Sequence, residues 1–222
     1  DGMFAIALVD TVARSLYLFR DQFGKKPLWI LTNPDGSIEF ASEIKALQSK
    51  KGIRAGFASE YLLFGYVPFN KSAYEEINAL PPSNFAIWHD RKLEIKEYLQ
   101  PKELSTTRIS YAEALEETDQ LLRSAVTKRL VSERPIGIYL SGGYDSSLVA
   151  AIMKKESASE VNSFSIGFND DAFNEAKYAR EVAKFLGLKH HEEYLQFDIV
   201  ATLQEVFEKI DLPFADSSII PT

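Results

Sequence analysis

Seven residues near the middle of the chain, Ser141-Gly142-Gly143-Tyr144-Asp145-Ser146-Ser147, have the composition of a polyanion cradle. Two adjacent glycines let the backbone approach a ligand closely and turn its N–H groups inward. A helix expected over Ser147 to Lys154 adds unpaired N–H donors at Ser146 and Ser147, together with the positive end of the helix dipole. Ser141, Ser146 and Ser147 bring hydroxyls. Asp145 makes the chemistry more specific. A carboxylate among phosphates repels them unless a cation lies between, so its natural role is to hold Mg²⁺ that bridges those phosphates. No Gly-Lys-Ser/Thr follows, so the loop is not of the Walker type, and it is not a Gly-x-Gly-x-x-Gly fingerprint either. The same residue types also suit a plain capped turn before a helix. A serine nucleophile is a third reading, but no base lies near in sequence to activate it.

A cradle of this kind needs a strand before it and a helix after it. Ile136 to Leu140, behind Pro135, reads as that strand. Upstream, Tyr111, Leu115, Thr118, Leu122, Ala125 and Arg129 mark one face of a long helix. Downstream, Val161 to Phe168 reads as a strand, Asn174 to Leu186 as a helix stopped by Gly187, Lys189 to Leu195 as a strand, and Asp198 to Ile210 as a helix capped by Asp198. This alternation predicts a parallel sheet with helices on its faces, where ligands sit at the carboxyl ends of the strands.

The first hundred residues pattern differently. Phe4 to Val9 and Ser15 to Phe19 read as paired strands. Leu28 to Thr32 and Ser37 to Ala41 flank the turn Asn33-Pro34-Asp35-Gly36, and Asn84 to Trp88 and Leu93 to Tyr98 flank His89-Asp90-Arg91-Lys92. A short helix is expected from Ser42, its N-cap, to about Gln48. Gln100 to Arg108 carries no periodic apolar signal and reads as a linker. The expected division is therefore a mostly β region over 1–99, a linker over 100–109 and an α/β region over 110–222.

Composition narrows the chemistry. The chain has 222 residues, 45% of them hydrophobic, and no cysteine. Disulfides, thiolate metal sites and a cysteine nucleophile are excluded within it, and a reducing location such as the cytoplasm is expected. A formal net charge of -7 without a basic patch argues against a nucleic-acid partner. No apolar run is long enough for a membrane helix. His190 and His191 are adjacent on an expected strand, so they face opposite ways and suit structural roles better than one shared metal. Asp170 and Asp171 lie near the ligand edge of the sheet, where a solvated loop explains them as well as a metal does.

The Ser-Gly-Gly-x-Asp-Ser-Ser loop resembles the pyrophosphate loop of N-type ATP pyrophosphatases, and the surrounding segments resemble the glutamine-hydrolysing asparagine synthetase family. Arg20-Asp21-Gln22-Phe23-Gly24-Lys25-Lys26-Pro27-Leu28 and Phe40-Ala41-Ser42-Glu43-Ile44-Lys45-Ala46-Leu47 resemble segments of its class II glutamine amidotransferase domain, as does Asp1-Gly2-Met3-Phe4-Ala5. His190-His191-Glu192 and Pro213 to Thr222 resemble bacterial asparagine synthase segments. The resemblance implies an α+β, Ntn-hydrolase-like glutaminase remnant followed by an α/β parallel-sheet domain of the adenine nucleotide alpha-hydrolase type. It implies an enzyme that takes ATP, Mg²⁺, glutamine and aspartate or another carboxylate, passes through an acyl-adenylate, and releases AMP and pyrophosphate. On this reading Asp145 is the Mg²⁺ ligand, and Ser141, Gly142, Gly143, Ser146 and Ser147 hold phosphates. Leu140 and Ile166 contact the adenosine portion, and Asp216, Ser217 and Ser218 lie on the acceptor side. Arg20 and Asp21 leave a catalytic role open, but a structural ion pair supporting the glutaminase sheet is the expectation. The resemblance also allows a homodimer, and it leaves open the same chemistry on another acceptor or a non-catalytic binding role.

Some features depart from the family pattern. Tyr144 replaces an aliphatic residue of the loop, Leu212 stands where an acidic residue often does, and Ser83 follows Leu80-Pro81-Pro82 where glycine is common. The family's N-terminal glutaminase cysteine and its second pyrophosphatase segment are absent, so both ends read as interruptions and this 222-residue stretch alone is expected to be inactive.

Overall fold

The computed structural model describes residues 2–47, 52–68, 70–100, 108–157, 159–168, 174–195 and 199–216. They belong to two compact units. One comprises Asp1–Leu104, Ile199–Ile220 and Thr222, and the other Ser105–Asp198 and Pro221.

In the first unit the chain forms β1 (Ala5–Asp10), β2 (Ser15–Arg20), β3 (Trp29–Thr32), β4 (Ile38–Ala41), helix α1 (Phe57–Phe64), β5 (Ile77–Ala79), β6 (Asn84–His89) and β7 (Lys92–Glu97). Two antiparallel sheets result, one in the order β1-β2-β6-β7 and one in the order β4-β3-β5. All three expected hairpins are present. The Asn33–Gly36 turn closes with Gly36 N–H donating to Asn33 O at 3.0 Å, and Gly36 takes φ +82°, as its turn position requires. Leu18, Leu28, Ile30, Leu80 and Ala86 form one buried cluster, and Leu31, Ile44, Leu47 and Ile77 form another.

The expected helix after Ser42 is only a single 3₁₀ turn, Ile44–Ala46, and Glu43 rather than Ser42 sits at its N-cap position with no side-chain cap. The donors that Ser42 was expected to satisfy are taken from far along the chain. Asp211 accepts from Ile44 N–H at 2.7 Å and from Lys45 N–H at 3.2 Å, and Lys45 Nζ reaches Lys209 O at 2.9 Å. Helix α1, between Gly56 and a left-handed Gly65, carries no amphipathic stripe and is absent from the sequence reading. Arg20 and Asp21 do not pair with each other either. Asp21 is 1% exposed and accepts four backbone N–H groups, while Arg20 donates to Lys26 O, Leu80 O and Gly24 O. The Arg20–Leu28 segment is thus tied by side chains that replace missing backbone partners.

The second unit runs α2 (Tyr111–Thr127), β8 (Gly137–Tyr139), α3 (Tyr144–Glu156), β9 (Asn162–Gly167), α4 (Ala176–Leu186) and β10 (Lys189–Tyr194). Its three strands are parallel, in the order β10-β9-β8, as the alternation predicts. A capping box at Ser110 and Glu113 starts α2, and Gly187 at φ +64° ends α4. The core has two joined parts. Val126, Ile152, Met153 and Val161 form one, and Leu140, Ala150, Ala179 and Ala183 the other, with Ile138 and Leu188 touching both. These side chains come from α2, α3, α4 and one face of the sheet. The opposite face carries Tyr139 and Phe164, which are exposed.

The last helix, α5 (Ile199–Lys209), belongs to the first unit, where Leu212 packs on the Leu31–Ile77 cluster. Its expected cap, Asp198, lies outside the described residues, as do Asp170 and Asp171. Among the described residues no helix is long and apolar enough to cross a membrane.

Candidate functional site

The site is built from the carboxyl end of β8 upward. Leu140, 2% exposed, ends the strand's pairing by donating its N–H to Phe164 O at 2.8 Å, and its side chain anchors the loop in the core beneath α3 and α4. The chain then turns at Gly142, with φ +81°. A Cβ on Gly142 would lie 2.5 Å from Tyr178 Cβ and 2.6 Å from Ala179 N, so only glycine fits between the loop and α4. Gly143 is extended, φ -72° and ψ 165°, and serves as the N-cap of α3.

The helix begins earlier than the sequence suggests, at Tyr144 instead of Ser146–Ser147. The extended Gly143 allows the next residue to enter the helix at once. Ser147 N–H is therefore already bonded to Gly143 O, at 3.1 Å. The first-turn N–H groups that precede any intrahelical acceptor are those of Tyr144, Asp145 and Ser146. Two of the expected phosphate-binding hydroxyls are engaged within the loop. Ser141 Oγ and Ser146 Oγ are 2.9 Å apart, Gly143 N–H donates to Ser141 Oγ at 3.2 Å, and Ser141 N–H donates to Ser146 Oγ at 3.3 Å. These bonds hold the loop in shape without a ligand. The third hydroxyl, Ser147 Oγ, is buried and has no hydrogen-bond partner among the described residues. Such a group costs stability unless something occupies its lone pairs.

Asp145 is exposed, and its carboxylate makes no hydrogen bond or ion pair among the described residues. No cluster of three or more His, Asp or Glu able to hold a metal occurs among them. A single free carboxylate beside a row of N–H donors suits Mg²⁺, which takes one or two carboxylates and completes its shell with water and phosphate oxygens. Tyr144 is 97% exposed, so it fills no gap in the protein.

The remaining site residues are placed less uniformly. By strand alternation Leu140 shares a face with Ser163 and Ser165, whereas Ile166 lies on the opposite face with Phe164. The two do not present side chains to one point. Asp216 is exposed and lies in the first unit; Ser217 and Ser218 lie outside the described residues. His190 and His191 face opposite ways. His190 sits between Ser163 Oγ and Ser165 Oγ at 2.9 and 3.1 Å, and burial lowers its pKa. His191 stacks on Phe164 with ring centroids 5.0 Å apart. Sequence reasoning passed over Arg180, which forks onto Glu192 beside the loop. No local pattern marks it, because its partner Glu192 lies on a separate element, β10.

Residues 117–222 match the family model described as asparagine synthase, and residues 1–99 match the one described as glutamine amidotransferase domain. A protein of Mycobacterium bovis named putative asparagine synthetase (glutamine-hydrolyzing) is 31% identical over 233 residues, covering 99% of this chain and 35% of that protein. Asparagine synthetase (glutamine-hydrolyzing) 1 of Bacillus subtilis is 30% identical, covering 99% and 35%. The Arabidopsis thaliana asparagine synthetase (glutamine-hydrolyzing) 2 is 33% identical, covering 95% and 34%. The chain spans about a third of the length of these relatives. With the two models matching in the order the motifs predict, the chain belongs to the asparagine synthetase family.

Proposed function

We propose that the full-length protein makes asparagine from aspartate with ATP and ammonia drawn from glutamine, through an aspartyl-adenylate, releasing AMP and pyrophosphate. The observation that carries this reading is the loop after β8, where a buried unpartnered hydroxyl, a free carboxylate and three open N–H groups all belong to the first turn of one helix. Those N–H groups, from Tyr144, Asp145 and Ser146, are disposed to take the pyrophosphate oxygens. Gly142 and Gly143 let the phosphates approach the backbone, and Ser141 and Ser146 keep the loop open. Asp145 would hold Mg²⁺, which when bound neutralises charge on the departing pyrophosphate. With the pyrophosphate held, the α-phosphorus is left open to the carboxylate oxygen.

On this reading the division is 1–99 for the amidotransferase part, of Ntn-hydrolase type, 100–109 for a linker, and 110–222 for the synthetase part, of adenine nucleotide alpha-hydrolase type. Leu140 and Ile166 would meet the adenosine through their backbones more readily than through side chains on opposite faces. Asp216, Ser217 and Ser218 are assigned to the acceptor side, a homodimer is the proposed assembly and the cytoplasm the proposed location. The test, on the full-length protein, is ATP–pyrophosphate exchange with aspartate and with a panel of other carboxylates. Exchange that requires aspartate is the expected result. Exchange supported only by another carboxylate would keep the chemistry and change the acceptor, and no exchange with any carboxylate would overturn the proposal.

A further inference from the structure

Beside the glycine loop, side chains of β9, β10 and α4 form a connected polar chain that the proposed chemistry does not use. His190 bridges Ser163 and Ser165 of β9. Glu192, two positions on and so on the same face, lies with its Oε2 3.8 Å from His190 Nε2. It receives both arms of the Arg180 guanidinium, with Nε 2.9 Å from Oε2 and Nη2 in close contact with Oε1. Nη2 also reaches the Tyr194 hydroxyl at 3.3 Å. Glu192 is 14% exposed, and the Arg180 bonds hold its carboxyl below the usual carboxylate range. A forked guanidinium–carboxylate contact fixes direction as well as distance, which a single ammonium contact does not.

Arg180 lies on α4 directly after Tyr178 and Ala179, the residues whose Cβ and N stand where a side chain on Gly142 would begin. The loop at Gly142 therefore rests on the backbone of α4, and α4 is tied to β10 one residue further along. A shift of α4 along its axis would move the support under Gly142, and the first turn of α3 follows from that glycine. Sub-ångström placement of such donors matters, because a 1 Å error at a reacting group costs on the order of 10²-fold in rate.

We propose that Arg180 is a positioning residue for the loop: through its fork onto Glu192 it fixes α4 at the height that supports Gly142, and so sets the N–H groups of Tyr144, Asp145 and Ser146. This rests on the loop being the phosphate site. The test is a double-mutant cycle of Arg180→Gln, Glu192→Gln and the two combined, with Arg180→Lys as the conservative variant, in ATP–pyrophosphate exchange by the full-length protein. Each single Gln variant is expected to raise KM for ATP about tenfold with the smaller effect on kcat. The double is expected to be no worse than the worse single, because both remove one interaction. Arg180→Lys keeps the charge without the fork and should recover part of the loss. Additive losses, or lowered melting temperatures with unchanged KM, would overturn the assignment. Amide hydrogen exchange at Gly142–Ser147 in the nucleotide-free protein reads the same tie without catalysis. It should quicken about tenfold in both singles and no further in the double, and unchanged exchange overturns the inference. If the unmodified full-length protein shows no pyrophosphate exchange, the functional proposal fails, and the amide measurement still decides the role of Arg180.

Discussion

Two aspartates in two glycine-containing loops have opposite surroundings. Asp21, in the first unit, is buried and accepts N–H groups from Phe4, Phe23, Lys25 and Lys26 at 2.9 to 3.3 Å. Asp145, in the second, is exposed and accepts none, although three open N–H groups surround it in sequence. In the first loop, carboxylate and donors satisfy one another and nothing is left for a ligand. In the second, both kinds of group remain available, which is the condition for binding a polyanion through a cation. A carboxylate beside glycines is therefore read as structure or as site by counting the donors it already holds.

The sharpest way to break this contrast is to remove each carboxylate in turn. In the full-length protein, Asp145→Ala should lower Mg²⁺-dependent pyrophosphate exchange by about 10³-fold while leaving the melting temperature within about 2 °C of the parent. Exchange at the normal rate would remove Asp145 from the site, and a large loss of stability would make the two loops alike.

Gly142→Ala comes next. The new Cβ meets Tyr178 Cβ and Ala179 N at 2.5 and 2.6 Å, and both are fixed by helix α4. Left-handed backbone and overpacking together should cost about 2–4 kcal/mol of stability, measured by urea denaturation. Gly143→Ala is the control, because its Cβ would meet only Ser141 Oγ, at 3.3 Å. Equal costs at the two glycines would show that α4 does not support the loop.

Asp21→Asn sharpens the other side. An amide offers one acceptor oxygen where the carboxylate offers two, and its NH₂ faces N–H donors. At about 1–3 kcal/mol for a buried group left unsatisfied, the loss should be roughly 2 kcal/mol. It should also depend on pH. Burial pushes the Asp21 carboxyl up, but the N–H bonds from Lys26, Lys25, Phe23 and Phe4 carry it below its ordinary value. A depressed folded pKa means the stabilisation is complete above the unfolded pKa and is lost as pH falls through the folded one. Below neutrality the parent should therefore lose stability more steeply than Asp21→Asn as pH drops under about 4. Parallel acid limbs would contradict the hydrogen-bonding seen here. Glu60, paired with Arg54 and Lys71 and lowered to about 2, titrates in the same direction in both proteins and so does not disturb the comparison.

What the sequence disclosed follows the range of the interactions. The hairpins and the β8–α3–β9–α4–β10 alternation depend on neighbours in sequence, and they appear as expected; the capping box at Ser110 and Glu113 is equally local, though it was not among the expected features. The loop's composition was legible for the same reason. Its fit was not, since Gly142 is constrained by Tyr178, on a different helix, and Arg180 acquires its role only once β10 lies beside α4. The expected cap at Ser42 failed because Asp211 supplies the donors' partner from 167 residues away. No local pattern encodes that contact. Leu212 is a similar case: as a sequence departure it looked like a lost acidic group, and in the fold it packs on Leu31, Ile44, Leu47 and Ile77.

Ser83 tests the smallest part of the comparison, since it closes the Asp21 loop. Its N–H donates to Asp21 O at 3.2 Å, its hydroxyl donates to Gln22 O at 3.1 Å, and its φ is +61°. A left-handed non-glycine residue is strained, which accounts for a glycine suiting this position. Ser83→Gly relieves that strain, loses one exposed hydrogen bond and adds freedom to the unfolded chain. Those terms nearly offset, and the net expected is a gain of about 0.5 kcal/mol. A loss of more than about 1 kcal/mol would mean that the hydroxyl bond to Gln22 outweighs the backbone strain, making Ser83 an active part of the closed loop around Asp21. A small gain would instead show that the Asp21 loop is held by its carboxylate and its backbone alone, with no help needed from the serine.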